Sequence, residues 1–499
     1  MTDLHVGIVT SSFGNRGGDV CPELNPRTND RAHLVNLGPN GTPLPGCGRR
    51  DLRFGPGGIT DPQVLESDIS TLVAGVGTTG CGLEAQLESW YRFLVEPDPY
   101  EDIVLTENRP ELVGTDPTIL KQRHDFLRPD SLLSIVVLTD EDDSAADPFA
   151  SGSIGWAFTS SNFPGSHTFR KSTGQGTTGP RATSACAATP LAQQCTSCFY
   201  ASLCELGVSP PGVDCAAVTS DPVCVAGACY GPDEDALNTR LFDMKRRFGI
   251  DPQYPLERYV HGLLSAKVPD RRTDHDATGK YVSAHTCDNP IYAGALPTSP
   301  SEELCHLPPG PRSQKLAVLT VIAGAPPDLL HPNMTKADWI AVVGKDPGAY
   351  DYTGIDPHMV QSIAPRPGLP PPSAPDDADP VHGREWDTRN NDLQYACTFA
   401  LDTPRLCTAS AVECNCAPNS PEASSPLCDT SNPALQVRAK AYPGIRPLEL
   451  ARLLGDNAVA SSICPPAPAG MPTEPVIAYR PAMKQLGDRM ARSLLPAPM

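Results

Sequence analysis

Apolar residues fall along the chain in short, dense runs separated by long stretches that are poor in them. Leu4 to Thr10 (LHVGIVT) is a β-branched run ended by Ser11-Ser12-Phe13-Gly14, the pattern of a buried strand. From Asp61 to Val73 the apolar residues Val64, Ile69, Leu72 and Val73 recur at helical spacing. A glycine-rich turn, Gly75 to Gly82, follows. Leu83, Leu87, Trp90, Tyr91 and Leu94 then stand at i, i+4, i+7, i+8 and i+11, which predicts a helix over 83–94. Ser131 to Thr139 (SLLSIVVLT) and Lys315 to Ala325 (KLAVLTVIAGA) are continuous apolar runs, as in parallel strands buried on both faces. Pro255 to Lys267 and Pro447 to Leu454 read as helices, Asn457 to Ile463 as a strand, and Tyr479 to Leu494 as an amphipathic helix.

Strands alternating with helices imply an α/β layered fold, a mostly parallel, Rossmann-like sheet flanked by helices. The ordered pieces lie at both ends and in the middle of 499 residues, so one split domain explains them better than two or three serial ones. Residues 1–143 form its first part, 255–325 add a helix and a strand, and 441–499 close it with helix, strand and helix. Residues 144–254 read as a Cys-rich insertion and 326–440 as a Pro- and Cys-rich one. The Pro365–Pro375 stretch reads as an extended surface loop or linker. With 56 Pro and 41 Gly the chain is loop-rich yet below the roughly 25–30% that marks disorder. A formal charge of −19 argues against nucleic acid as a partner. No apolar run approaches the roughly 18 residues of a membrane span.

The 18 cysteines form two clusters and a scattered set. Cys186, Cys195, Cys198, Cys204, Cys215, Cys224 and Cys229 make the first cluster; Cys397, Cys407, Cys414, Cys416 and Cys428 make the second. Dense cysteines in stretches with little apolar content suggest disulfides. Zinc is the rival, because Cys195-Thr-Ser-Cys198 has ligand-pair spacing, although no histidine lies inside the cluster. Idle thiols are the third reading. An oxidising compartment implies a secreted, periplasmic or outer-surface protein; the start MTDLHVGIVTSS, without a basic and an apolar segment, leaves a cytoplasmic address as the alternative.

In a parallel sheet, ligands bind beyond the carboxyl ends of the strands. Ser11 and Ser12, the Gly77-Thr-Thr-Gly80 turn and Asp140-Glu-Asp-Asp143 all map to that edge. Hydroxyls and carboxylates are hard-oxygen ligands for Mg²⁺, Mn²⁺ or Ca²⁺. Their bland readings are an N-cap for the turn and a solvated acidic helix start for Asp140–Asp143. His124, His167, His261, His358 and His382 are scattered, with no His-Glu-x-x-His or Gly-x-Ser-x-Gly motif. The most chemical-looking spots are Asp356-Pro-His358 and His382-Gly-Arg-Glu-Trp-Asp387, where a histidine beside acids suits a metal or a general base, or is simply surface.

LHVGIVTSS, GTTGCGLE, DFLRPD, VVLTDEDD and the tail NAVASSIC resemble the von Willebrand factor type A (VWA) fold, and more narrowly the large, secreted, Cys-rich VWA-like proteins of myxobacteria and their relatives. The resemblance implies a metal-ion-dependent adhesion site in which Thr78 (Thr79 in the neighbouring register) and Asp140 bind a divalent cation, Mg or Ca, that engages an acidic group on a protein partner. The family's Asp-x-Ser-x-Ser element is missing; the resemblance places it on a strand upstream of Leu4, with a signal or lipoprotein peptide before it. The expected function is therefore non-enzymatic binding or adhesion at the cell surface. The alternatives are a metal-dependent hydrolase combining Asp140–Asp143 with the insertion histidines, and a structural envelope protein with no active site.

Overall fold

The computed structural model describes residues 3–14, 16–21, 29–39, 41, 51–161, 163, 178–227, 229–231, 234–276, 278–375, 378–379, 382–408, 414–417, 424–465 and 475–494, with only the backbone of 475–479. His167 and Cys47 lie outside them. The described strands are β1 Leu4–Val6, β2 Leu52–Phe54, β3 Asp102–Thr106, β4 Arg109–Val113, β5 Leu133–Leu138, β6 Lys267–Val268, β7 Cys287–Asp288, β8 Ala317–Ala323, β9 Cys397–Leu406, β10 Leu435–Ala441 and β11 Ala458–Ser462. The longer helices are α1 Pro62–Val76, α2 Gln86–Leu94, α3 Pro117–Phe126, α4 Leu256–Leu264, α5 Lys336–Val343, α6 Ile445–Leu454 and α7 Pro475–Leu494. None of the described helices is long and apolar enough to cross a membrane. The chain divides into two compact units, Met1–Leu133 with Tyr254–Ala317, and Ser134–Gln253 with Val318–Met499. Both stretches read as insertions lie almost wholly in the second.

The first unit is organised around α2, whose nine residues are all buried. Gly262 of α4 makes that packing possible: a Cβ there would sit 2.7 Å from the Tyr91 ring. Between the two helices lies a buried ion pair, with Arg258 Nε and Nη2 donating to Glu88 Oε2 and Oε1 at 3.1 and 3.0 Å. Tyr259 Oη donates to the same carboxylate at 3.2 Å, and the guanidinium stacks 3.9 Å from the Tyr91 ring centroid. Arg123 of α3 donates to the Phe93 and Arg92 carbonyls at 2.7 and 2.9 Å, satisfying acceptors that a helix end leaves open.

The LHVGIVT run differs from expectation. Only Leu4–Val6 is strand, half-buried and paired antiparallel with β2 alone. Beyond Val6 the run leaves regular strand pairing: the Ile8 carbonyl accepts the Val35 amide at 2.8 Å, and Gly7 lies close against Leu34 and Phe126. The α1 helix forms where its pattern predicts, started by Asp61 as N-cap and Pro62 at the first turn.

The second unit holds a three-stranded parallel sheet in the order β11-β8-β5, flanked by helices. Ala458 to Ser462 of β11 pair with Leu319 to Ala323 of β8, every residue of which is buried. The α6 and α7 helices lie against β11. In β5 the burial alternates, leaving Val136 and Leu138 46% and 53% exposed. Its continuous apolar run had predicted burial on both faces; as the outer strand of the described sheet, it is covered on one.

The Cys-rich stretch packs an aromatic core of its own around Trp156, Phe158, Tyr200 and Phe248. The later stretch, read as irregular, contains α5, started by a reciprocal Thr335–Asp338 capping box, and the β9–β10 hairpin. Pro404 within β9 hides that strand from a periodicity reading.

Among the described residues, eight disulfides join Cys21–Cys81, Cys186–Cys195, Cys198–Cys224, Cys204–Cys215, Cys287–Cys305, Cys397–Cys464, Cys407–Cys414 and Cys416–Cys428. Cys195 and Cys198 therefore bond to different partners, which removes the zinc reading of that spacing. Cys229 is buried.

Candidate functional site

The carboxyl edge of the parallel sheet is partly filled by its own chain. The Tyr442 amide donates to the Asp140 carbonyl at 2.8 Å, and that of Gly444 to the Gly324 carbonyl at 2.9 Å. Gly324 is required there, because a Cβ would meet the Tyr442 carbonyl oxygen at 1.8 Å. Ser462 Oγ donates to the Ala325 carbonyl at 2.5 Å, and the Cys397–Cys464 bond ties β9 to the end of β11.

Asp140 stands exposed at the end of β5, and its carboxylate accepts no hydrogen bond from a described residue. The next acids face inward. Asp142 accepts from the Arg446 amide at 2.8 Å and from Gln361 Nε2 at 2.7 Å, while Arg446 Nε lies 3.3 Å from Asp143 Oδ2. Asp140–Asp143 is a bend rather than the start of a helix. Burial raises the Asp142 pKa to about 7, against the pull of Arg446. Between about pH 4 and 7 the folded chain holds a proton that the unfolded chain releases, so this group lowers stability as pH rises through that window. Chemical denaturation of wild type and Asp142→Asn across pH 4–8 is expected to show their difference opening in favour of Asn up to pH 7 and constant above it. A difference that does not change with pH contradicts this.

Thr78 is exposed and belongs to the first unit, whereas Asp140 belongs to the second. The Gly-Thr turn directly follows α1, whose C-cap is Gly77 at φ 69°; Cys81 to Ala85 separate it from α2. It is thus a helix end, not the N-cap of α2. Ser12 Oγ accepts the Cys81 amide at 2.9 Å and Ser11 Oγ donates to Glu84 Oε2 at 2.8 Å, so both hydroxyls are engaged in local structure.

The two histidine spots, 24 positions apart, come together. The His358 and His382 rings lie 4.2 Å apart between centroids, tilted by 36°. Asp356 caps the short turn Pro357–Met359 and its Oδ1 also meets His358 Nδ1 at 3.0 Å. That hydrogen bond, the largest influence, holds the Asp356 carboxyl below its usual range. Asp379 Oδ1 accepts the His382 amide at 2.8 Å; its Oδ2 lies 3.0 Å from His382 Nδ1 and 3.6 Å from His358 Nε2. Asp328 Oδ1 stands 3.5 Å from His382 Nε2.

A buried pair holds this arrangement. Arg366 Nε and Nη2 donate to Glu385 at 3.0 and 2.7 Å, its Nη1 donates to the His358 carbonyl at 2.7 Å, and Nη2 also reaches the Tyr395 carbonyl at 2.6 Å. One guanidinium thereby joins the segment carrying His358 to the segment carrying His382, three residues before Glu385. The Pro365–Pro375 stretch is consequently pinned at Arg366 rather than a free linker. Sequence reasoning missed Asp379, Asp328 and Arg366, and singled out Glu385 only as an acid near His382. Only Asp379 had a local signal, an aspartate three positions before His382, the spacing of an N-cap.

Comparison with protein-family models, with curated proteins and with solved structures finds no match to this chain.

Proposed function

We propose that this is an extracytoplasmic, disulfide-stapled, VWA-like binding protein rather than an enzyme, presenting Asp140 and the neighbouring sheet edge to a protein partner. The observation that carries this reading is the set of eight disulfides, which is compatible with an extracellular protein and stiffens loop-rich segments that apolar burial alone would leave loose. The exposed Asp140 carboxylate at the end of β5 supports a hard divalent cation, Mg or Ca, at that edge; one carboxylate leaves most of the roughly six oxygen positions to water and to the partner. The inward turn of Asp142 and Asp143 favours binding over the hydrolase alternative, which needs those acids open. A structural envelope role is the second reading, favoured by the closure of the sheet edge through Tyr442 and Gly444.

Thiol titration of the denatured, unreduced protein tests the compartment. At most two of the 18 cysteines, those outside the eight bonds, are expected to react; a majority of reactive cysteines would overturn the extracytoplasmic reading. For the edge itself, Asp140→Asn is expected to abolish any stabilisation by millimolar Ca²⁺ or Mg²⁺ in thermal melts. Equal stabilisation of both proteins removes Asp140 from the function.

A further inference from the structure

We propose that His358, His382 and Asp379 form a binding site for a divalent first-row transition ion, chemically distinct from the hard-cation edge at Asp140. One ring nitrogen from each histidine and one Asp379 oxygen lie within 4.8 Å of one another. In a tetrahedral zinc site with bonds near 2.0–2.2 Å, ligand atoms stand roughly 3.3–3.5 Å apart, so modest side-chain closure forms the set. The Asp379 Oδ2 to His358 Nε2 separation is already 3.6 Å.

Three features point to an ion rather than to histidines merely satisfied by acids. Nε2 of His358 and Nε2 of His382 are both buried and, among the described residues, neither has a hydrogen-bond partner. Buried polar nitrogens are costly to leave without one. Asp356 holds His358 by Nδ1, the carboxylate–histidine arrangement that fixes the ring and leaves Nε2 to face a metal. Finally, the two ligand segments are clamped by the buried Arg366–Glu385 pair, so the geometry is set by the core of the unit and not by an exposed loop. Asp328, exposed at 3.5 Å from His382 Nε2, can supply a fourth ligand.

The donor set decides the class of ion. Two imidazoles and a carboxylate suit Zn²⁺, Ni²⁺, Cu²⁺ or Fe²⁺, whereas Mg²⁺ and Ca²⁺ take oxygen ligands. The paired cysteines near Asp270, Cys287 and Cys305, are joined in a disulfide and offer no thiolate.

Zn²⁺ titration of the full-length, tag-free, chelator-stripped protein tests the site, read by calorimetry and by thermal melting. A single equivalent is expected to bind and to raise the melting temperature. Asp356→Asn, a positioning change, is expected to weaken binding about 10–100-fold. His382→Ala and Asp379→Asn are expected to weaken it further, while His306→Ala, at an exposed histidine of the first unit, leaves it unchanged. No binding by the wild type, or undiminished binding by His382→Ala, overturns the proposal. Should the variants fail to fold, the Co²⁺ complex of the wild type decides: nitrogen–oxygen ligation without a thiolate charge-transfer band supports the site, and an absent or sulfur-type spectrum overturns it.

Discussion

Replacing Glu88 with alanine is expected to destabilise the first unit by about 3 kcal/mol, the lower end for a broken buried pair, because Arg258 loses its bidentate partner and keeps only Asp274, at 3.8 Å. Both side chains are almost fully enclosed, at 1% and 4% exposure, so solvent does little to screen the loss. The guanidinium cannot swing to water without leaving Tyr91 and Tyr254, against whose rings it packs at 3.9 and 4.6 Å. The effect belongs to the broken pair rather than to the carboxylate as such. Replacing Glu88 and Arg258 together with methionine is therefore expected to recover most of the loss, as well-filled apolar substitutes for buried ion pairs commonly do. Urea denaturation of the wild type, the single variant and the double variant measures both. A single-variant loss below about 1 kcal/mol, the scale of an exposed ion pair, would sink the argument.

Removing the Cys397–Cys464 bond, with both cysteines changed to serine, is expected to cost the second unit about 4 kcal/mol on the chain-entropy estimate, allowing for the two shorter disulfides inside its loop. That bond spans 67 positions and ties the β9–β10 hairpin to the end of β11, beside the closed edge of the sheet. Cys204–Cys215 spans only 11, and its removal is expected to cost about 3 kcal/mol. Thermal or denaturant melts of the two serine pairs should rank them in that order, since the longer loop regains more freedom on unfolding. Equal stability of wild type and the Cys397/Cys464 variant would mean that the hairpin is held by its other contacts, such as the Tyr442 amide on the Asp140 carbonyl.

How far the elements could be read in the sequence depended on how far their burial left a periodic trace. The α2 helix and β8 are enclosed on all sides, and their residues are apolar or paired accordingly. The β3–β4 hairpin and α3 escaped a periodicity reading, yet both carried local chemistry. Glu107 and Asn108 take positive φ in a two-residue turn, and Asp116 followed by Pro117 is a helix start. For the β9–β10 hairpin there was no such trace, because an exposed ribbon containing a proline has neither a buried face nor regular alternation.

The candidate sites divide in the same way. His358 and His382 were visible as histidines beside acids, Asp356 two positions before the first and Glu385 and Asp387 just after the second. Their meeting was not visible. It depends on Arg366 and Glu385, 19 positions apart, whose bidentate pairing is a property of the folded core. Likewise, Asp140 could be placed at the end of a strand, but the turning of Asp142 and Asp143 toward Arg446, some 300 positions on, could not.

By itself, then, the sequence determined an acidic, cysteine-rich chain with α/β elements at both ends and in the middle, because hydrophobic periodicity and composition act locally. The tertiary structure alone decided which cysteines bond, which strand lies outermost in the sheet, and which histidines and acids converge. Apart from the short disulfides such as Cys407–Cys414, those outcomes require groups tens to hundreds of positions apart to meet, and no local pattern encodes such a distance.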